Sequence, residues 1–308
     1  MRILMTGGTG FIGKPLTAKL VSLGHRVTVI TRRAPGTRET SSEGVDYFAA
    51  DLYKEPVLPA ELIDETDAVI NLAGESLAGK RWTNKQKSRI VESRTRTTKA
   101  LVEAMANAQK KPDVFLSSSA IGYYGDRGDE KLDEQASAGS DFLATTCLQW
   151  ESEARKAEAP GRRMVLLRTG IVLGKSGGAL AKLLLPFKMF VGGPVGSGQQ
   201  WMSWISLDDL IALIVFALEN PKVDGPLNLT APNPVTNATF SKMLGRVLRR
   251  PSFMKVPGFA LKMLLGEQAL IVLTGQRVLP TKAQQLGFTF RHTELESTLR
   301  ELLGSQNV

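Results

Sequence analysis

The chain has 308 residues, of which 43% are hydrophobic and 22% are charged, the balance of an ordinary globular protein. Its one cysteine, Cys147, excludes an internal disulfide and fits a reducing compartment. No apolar run reaches the ~18 residues of a transmembrane helix, and no secretory leader pattern precedes the first apolar stretch. We therefore expect a cytoplasmic protein that neither spans nor binds a membrane.

The net charge of +9 makes nucleic acid, acidic lipid and phosphorylated ligands the partners to consider. The basic residues are scattered in short clusters and do not alternate with aromatic residues as in a nucleic-acid-binding surface. We expect a solvated basic surface with one phosphate site and no nucleic-acid partner. The sequence leaves open whether the chain forms a homo-oligomer.

Strand and helix patterns alternate along most of the chain. Strands are predicted at residues 2–5, 26–31, 45–49, 68–72, 114–118, 164–168 and 225–229. Helices are predicted at residues 14–23, 85–108, 142–157, 207–218 and 295–303. Strands separated by helices form βαβ units with right-handed crossovers. The pattern therefore predicts an α/β fold, a doubly wound parallel sheet of the Rossmann type.

Residues 174–203 break this pattern, because glycine and proline become frequent there, and we expect a loop. We predict a Rossmann domain over residues 1–250, with a smaller substrate lobe mainly at 171–206 and 225–250. An appended helical domain is predicted at 251–303. Its apolar stretch at 259–273 contains Lys262, Glu267 and Gln268, which favours a helix packed on the core over a membrane surface.

A glycine-rich turn follows the first predicted strand. Gly7, Gly10 and Gly13 have the Gly-x-x-Gly-x-x-Gly spacing and stand directly before a helix. Small residues permit the tight turn, the approach of a pyrophosphate and close helix packing, while the helix start offers free N–H groups to the phosphates. The turn, including Thr9, Phe11 and Ile12, is therefore predicted to bind a dinucleotide.

The end of the second predicted strand indicates which dinucleotide binds. An acidic residue there would bind the ribose 2′-hydroxyl of NAD. The chain instead has Thr31, Arg32 and Arg33, and guanidinium groups match a 2′-phosphate. We predict NADP(H) as the cofactor, although two solvated surface arginines are the alternative. Further cofactor contacts are predicted after the next two strands, at Asp51, Leu52, Asn71, Leu72, Ala73 and Gly74.

Taken together, these segments resemble the extended short-chain dehydrogenase/reductases of the NAD-dependent epimerase/dehydratase superfamily. The motifs that carry the resemblance are 6–13, Asp51-Leu52, 71–74, 117–120 and 124–126. Additional segments are similar to the YfcH-like epimerase family proteins, which have a C-terminal domain of unknown function: Ser93-Arg94, Phe142-Leu143, 147–151, 167–174 and 204–209. The resemblance adds Arg94 and Ser117 to the expected cofactor contacts and implies oxidoreductase or nucleotide-sugar-type epimerase chemistry.

The catalytic pair of that family is missing. Extended members use a Tyr-x-x-x-Lys pair, in which the lysine lowers the pKa of the tyrosine, and a serine that holds the substrate oxygen. Ser119 matches the serine, but at the family spacing from Glu151 the pair positions hold Leu143 and Cys147. Leu143 cannot transfer a proton as the tyrosine does, and the neutral thiol of Cys147 cannot provide the permanent positive charge of the lysine. Cys147 is expected to be a buried helix residue and not a nucleophile.

Two functional hypotheses follow from this departure. In the first, an enzyme uses another proton-transfer group, with Tyr123 or Tyr124 as the first candidate and Glu75 as the second. In the second, the chain binds NADP(H) without turnover, as a sensor or regulatory protein. The alternative for the two tyrosines is that they only pack as aromatic rings over the cofactor. The alternative for Glu75 is that it is a solvated loop carboxylate without a catalytic role.

The segment 175–206 is expected to cover an unknown small polar substrate. Its glycines and tryptophans suit a lid, and Gln199, Gln200 and Ser203 could hydrogen-bond the substrate. The two histidines, His25 and His292, lack cysteine or carboxylate neighbours in the sequence, so no metal site is expected.

Overall fold

The computed structural model describes residues 1–32, 38–40, 44–175 and 177–304, with the backbone alone at 38–40. Its strands are β1 Arg2–Thr6, β2 Arg26–Thr31, β3 Arg38–Thr40, β4 Val45–Ala49, β5 Ala68–Asn71, β6 Val114–Ala120, β7 Lys131–Leu132, β8 Arg163–Thr169, β9 Ile171–Gly174, β10 Trp201–Met202, β11 Trp204–Ser206, β12 Gly225–Leu229, β13 Val235–Thr236 and β14 Arg277–Val278.

Eleven α-helices lie in the described part of the chain. They are α1 Gly13–Ser22, α2 Ala60–Asp64, α3 Asn84–Asn107, α4 Phe142–Arg155, α5 Gly178–Lys188, α6 Leu207–Glu219, α7 Asn237–Leu248, α8 Gly258–Leu265, α9 Leu270–Leu273, α10 Thr281–Gln285 and α11 Leu295–Leu303. Short 3₁₀ turns occupy Ile121–Tyr124 and Gly266–Ala269.

The central sheet has the strand order β12-β8-β6-β5-β1-β2-β4-β3. Seven of these strands are parallel, and β3 pairs antiparallel with β4 at one edge. The predicted doubly wound α/β fold is therefore confirmed. The strand order reverses at β1, which lies between β2 and β5, and in such sheets a ligand binds beyond the carboxyl ends of the strands at that point.

The alternation of side chains along the parallel strands produces two hydrophobic layers. On β1, Ile3 and Met5 face the layer that contains α1 and α6, whereas Leu4 faces the layer that contains α3 and α4. Both faces of the sheet are thus buried, as is usual for parallel sheets. The loops at the carboxyl ends of the strands are not covered by these layers, so a site can form there.

The segment 174–203 is not a loop throughout, which corrects the prediction for this region. Residues 178–188 form α5, with Pro186 inside its last turn. Leu180 and Phe187 of this helix are buried in the core of the lobe, together with Trp204 and Phe240. The glycines before the helix and the internal proline obscured its apolar spacing in the sequence. The following segment, 189–203, contains only the short strand β10.

The prediction that the helix at 259–273 packs on the core is wrong for its first half. Phe259, Met263 and Leu264 of α8 are 71%, 74% and 72% exposed. By contrast, the later part of the C-terminal segment is integrated: β14 pairs with β7, and Leu295 and Leu299 of α11 are buried in the lobe. None of the helices in the described ranges combines the length and apolarity that crossing a membrane requires.

Candidate functional site: a dinucleotide cleft at the sheet reversal point

The glycine turn after β1 has the close packing that its spacing predicts. Gly7 has a φ of +72°, and a Cβ atom there would lie 2.8 Å from the carbonyl carbon of Leu72. A Cβ atom at Gly13 would lie 2.1 Å from the Gly7 oxygen, so only glycine permits this helix start. No side chain caps α1 at Ile12. Although Lys14 N–H donates to the Gly10 oxygen at 2.9 Å and Pro15 has no N–H, the positive end of the helix dipole stays open to an anion.

A cleft of about 490 Å³ opens beside this turn, at the carboxyl ends of β1, β2, β4 and β5. Ten of the predicted cofactor contacts line it: Gly7, Thr9, Gly10, Thr31, Arg32, Asp51, Leu52, Leu72, Ala73 and Gly74. The structure thus brings the turn, the end of the second strand and the two following loops together around one cleft. The dimensions and the uncapped helix start fit a dinucleotide with its pyrophosphate on the turn.

Several other predicted contacts support the wall of the cleft from behind. Phe11 packs against the glycines at the start of the lobe, where a Cβ atom at Gly174 would lie 2.9 Å from its ring. Asn71 is fully buried, accepts a hydrogen bond from Thr6 Oγ1 at 2.6 Å and donates to Thr98 Oγ1 at 2.8 Å. Ile12 and Gly13 belong to the helix start. Arg33 lies outside the described residues.

The cleft also has lining residues that the sequence reasoning did not predict. Arg89, Ser93 and Thr97 project into it from α3, and Tyr53 lines it after β4. The α3 residues are spaced by four, so they lie along one face of the helix. This spacing was visible in the sequence, but nothing in the sequence indicated which face of a mostly polar helix meets the cofactor.

Ser119 does not have a free hydroxyl for a substrate. Its Oγ donates a 2.6 Å hydrogen bond to Glu151 Oε1, and the side chain is buried. Arg168 binds both oxygens of the same carboxylate, with Nε and Nη2 each at 2.9 Å. Burial disfavours the charge on Arg168, but the interactions with Glu151 and Tyr124 together outweigh this cost and raise the pKa of the guanidinium. The geometry favours a structural role for Ser119 over the predicted substrate contact.

Tyr124 is part of the same buried network. Its hydroxyl donates to Asn228 Oδ1 at 2.6 Å and accepts from Arg168 Nη1 at 3.1 Å. Burial raises the pKa of Tyr124 to about 12, so this phenol is a poor base at neutral pH. The geometry therefore argues against Tyr124 as the proton-transfer residue.

Tyr123 differs from its neighbour in exposure and bonding. The residue is half-buried, and its hydroxyl makes no hydrogen bond to another described residue. Its ring lies over the guanidinium of Arg168, with Cζ 3.5 Å from the ring centroid. Of the two predicted tyrosines, Tyr123 alone keeps a hydroxyl that a ligand could use.

The two positions of the missing catalytic pair are apolar in character. Leu143 packs near Gly122, where a Cβ atom would lie 3.3 Å from the leucine Cβ. Burial raises the pKa of Cys147 to about 12, and its Sγ lies 3.7 Å from the Ala120 oxygen, so the thiol stays neutral. The expectation of a buried helix cysteine is confirmed. That this thiol is not a nucleophile stays a prediction.

Arg94 places a positive charge next to this apolar pair. Its guanidinium bonds the backbone oxygens of Ile90 and Glu75, at 2.8 and 3.0 Å, and lies over the Trp150 ring. Burial lowers the pKa of Arg94, and the nearby Glu75 opposes only part of this shift. Arg94 does not line the cleft. It supports the loop after β5, in which Glu75 does line the cleft.

The remaining predicted polar residues have structural partners. Ser203 Oγ donates to the Gln276 oxygen at 2.6 Å, and Gln200 Nε2 donates to the oxygens of Val195 and Val272. These bonds connect the lobe to the C-terminal segment, which corrects the prediction that Gln200 and Ser203 are free to bind a substrate. In contrast, Ser117 Oγ, on β6, is buried without a hydrogen-bond partner.

The structure brings three potential metal ligands together that the sequence did not connect. One ligand atom from each of Asp208, His292 and Glu301 lies within 4.8 Å of the others. His292 already has partners, since Nδ1 is 2.9 Å from Ser206 Oγ and Nε2 is 3.2 Å from Glu301 Oε2. The cluster joins α6 to the C-terminal segment, and we assign no metal to it.

Comparison with known proteins shows to which family the chain belongs. The profile of the NAD dependent epimerase/dehydratase family matches residues 3–229, nearly three quarters of the chain. The chain belongs to this family. A second profile, the domain of unknown function DUF1731, matches residues 256–302. The suspected relationship to epimerase family proteins with such a C-terminal domain is thereby confirmed.

Relatives at the level of sequence cover almost the whole chain. The chloroplastic epimerase family protein SDR39U1 homolog of Arabidopsis thaliana is 43% identical over 98% of this chain and 87% of its own length. The epimerase family protein YfhF of Bacillus subtilis is 40% identical, with 99% of each chain covered. The match therefore includes both the dinucleotide cleft and the C-terminal segment.

A solved structure with a bound cofactor shares the same fold. Human epimerase family protein SDR39U1 with NADPH matches with a TM-score of 0.87 and 35% identity, over 98% of this chain and 99% of that one. UDP-glucuronic acid 4-epimerase from Bacillus cereus, at 20% identity and a TM-score of 0.77, shows the fold alone.

Proposed function

We propose that this protein binds NADP(H) in the cleft beside the glycine turn. The observation that carries the proposal is the position of Arg32: it lines the cleft at the end of β2, where an NAD-binding protein would have a carboxylate. Arg89 adds a second cation to the same wall. The similar human protein that contains NADPH supports the choice of cofactor.

Titration of NADPH and NADH, followed by the fluorescence of the reduced nicotinamide, tests this proposal. A charge-assisted contact is worth about 1.5–3 kcal/mol, so Arg32→Ala should weaken NADPH binding by about tenfold or more. NADH binding should stay unchanged. Lys19→Ala, an exposed change on α1 outside the cleft, is the control. Binding of NADH at least as tightly as NADPH by the native protein would contradict the proposal.

We further propose that the cleft serves an oxidoreductase or epimerase reaction on a small polar substrate, without the usual tyrosine–lysine pair. The bound cofactor would supply hydride transfer. Of the candidates that the sequence offered for proton transfer, two remain: Tyr123, whose hydroxyl is unbonded among the described residues although it does not line the cleft, and Glu75, which does line it. Arg94 would stabilise the Glu75 loop and supply the positive charge that the family places on the lysine.

A second function is favoured by the same network, namely NADP(H) binding without turnover, as a sensor or regulatory protein. Ser119 and Tyr124 are bonded within the core, and Leu143 and Cys147 cannot transfer a proton. Oxidation of NADPH with a panel of carbonyl substrates separates the two functions. Turnover that is lost in Tyr123→Phe or Glu75→Gln, with NADPH affinity retained, supports the enzyme, and tight binding with no turnover supports the sensor. The cytoplasmic location stays a prediction.

A further inference from the structure

A second groove lies on the surface of the lobe, separate from the dinucleotide cleft. It is formed by α5, the C-terminal end of α7 and the C-terminal end of α11. Its volume is about 1160 Å³, above the range of about 300–1,000 Å³ for pockets that hold drug-sized ligands. None of its lining residues lines the dinucleotide cleft.

The groove combines an apolar floor with a basic rim. The apolar lining residues are Ala181, Leu184, Leu185, Val247, Leu248, Leu302 and Leu303. The charged lining residues are Lys175, Lys188, Arg249, Arg250 and Arg300, and the described lining includes no acidic residue. Of these cations, Arg300 alone forms an ion pair within the described chain, with Glu296 at 2.7 Å.

The backbone beside this groove is strained. Among the described residues, two that are not glycine have positive φ, Phe190 with 62° and Arg249 with 53°. Both border the groove, because Arg249 lines it and the Phe190 ring lies 4.4 Å from the guanidinium carbon of Arg250, another lining residue. Both residues end a helix: Arg249 is the C-cap of α7, and Phe190 follows the C-cap of α5. A left-handed residue is common at a helix end, but glycine usually takes that position because a Cβ atom makes the conformation unfavourable. Glycine would relieve the strain at position 249, but the chain places a cation there.

We infer that this groove binds a single long-chain amphiphile with an anionic head group, such as a fatty-acid carboxylate. The acyl chain would lie along the leucine floor, and the head group would lie among the rim cations. The charge complementarity argues against a second copy of this chain, since a symmetric contact would press the two basic rims together. The lining has no aromatic platform for nucleic-acid bases.

Titration calorimetry with octanoate, decanoate and laurate, each below its micelle concentration, tests the inference. Affinity should rise by about fourfold for each methylene that enters the groove. Dodecyltrimethylammonium, which has the same chain length as laurate but a cationic head group, should not bind. Saturation of the protein with NADPH should leave laurate binding unchanged, because the two sites do not share residues.

Two double variants with the same change in net charge locate the binding site. Lys188→Glu with Arg249→Glu, on the rim, should weaken laurate binding by tenfold or more. Lys222→Glu with Lys242→Glu, at exposed positions outside the groove, should leave laurate binding unchanged. Arg249→Gly should weaken laurate binding while raising the melting temperature, which a folding defect would not do.

Three results would overturn the inference. The first is equal loss of laurate binding in both double variants, which would indicate a diffuse effect of net charge. The second is tight binding of dodecyltrimethylammonium, which would show an apolar site without charge selection. The third is that the protein sediments with phosphatidylglycerol vesicles but has no affinity for laurate. The groove would then bind a membrane surface and not a single amphiphile.

Discussion

At the scale of single residues, the most demanding feature of the described core is a buried ion pair between Arg168 and Glu151. Both side chains are almost completely buried, and the carboxylate accepts bonds from Arg168 and Ser119. A buried charge that loses its partner keeps the full cost of its desolvation. The pair joins α4 to the interior strands β6 and β8, and we expect it to be sensitive to substitution.

We expect Glu151→Ala to lower the free energy of unfolding by about 3–5 kcal/mol, because it leaves Arg168 charged and unpaired. Glu153→Ala is the matched control on the same helix. Glu153 pairs with Lys156 at the surface, so its loss should cost about 0–1 kcal/mol. Urea unfolding measures both values. Equal losses of unfolding free energy in the two variants would contradict the prediction, because the buried pair would then stabilise the fold no more than the surface pair does.

The cofactor residues show what a sequence can predict at this scale. Gly7 and Gly10 were predictable because few residues fit a tight turn that a phosphate approaches, and Arg32 because it replaces a carboxylate at a known position. Tyr124 and Ser119 were predicted at the site but do not line the cleft, and their bonding to Asn228 and Glu151 was not predictable. Those partners lie 104 and 32 residues away in the chain, and no local pattern records such a contact.

At the scale of elements, the parallel strands were predictable because burial on both faces produces continuous apolar runs. The helix α5 was not, because Gly177, Gly178 and Pro186 resemble loop signals. A tertiary contact requires glycine at these positions, because a Cβ atom at Gly177 or Gly178 would lie 2.8 or 2.7 Å from the ring of Phe11. The start of the lobe therefore packs directly on the glycine turn, and the two elements depend on each other.

This contact leads to a prediction for Gly174, which has an ordinary φ and whose Cβ would lie 2.9 Å from Phe11 Cζ. Gly174→Ala should push the ring toward the turn and weaken NADPH binding several-fold, with cooperative melting retained. The double variant with Phe11→Leu should recover most of the affinity, because the smaller side chain leaves room. Fluorescence titration measures both. An unchanged affinity in Gly174→Ala would show that the turn is independent of the lobe.

At the scale of the whole molecule, the C-terminal segment is bonded to the rest by buried polar contacts. The Asp209 carboxylate accepts the N–H groups of Arg291 and His292, at 2.9 and 2.8 Å. The Glu134 carboxylate accepts those of Asn228 and Lys282, at 3.1 and 3.2 Å. Burial raises the pKa of Glu134, although these bonds partly oppose the shift. The predicted division near residue 251 stays a prediction, and these contacts argue that the two parts do not fold separately.

We therefore expect the full chain to unfold in one transition and a chain that ends at residue 250 to fail to fold. The truncation would remove Ala283, Leu295 and Leu299 from the core. It would also leave the Asp209 carboxylate without both of its C-terminal backbone donors and the Glu134 carboxylate without the Lys282 N–H. Scanning calorimetry and limited proteolysis measure the outcome, and a chain that ends at residue 304 is the control. A 250-residue chain that melts cooperatively and binds NADPH with native affinity would show that the appended part is an independent domain, because neither property survives the loss of a shared core.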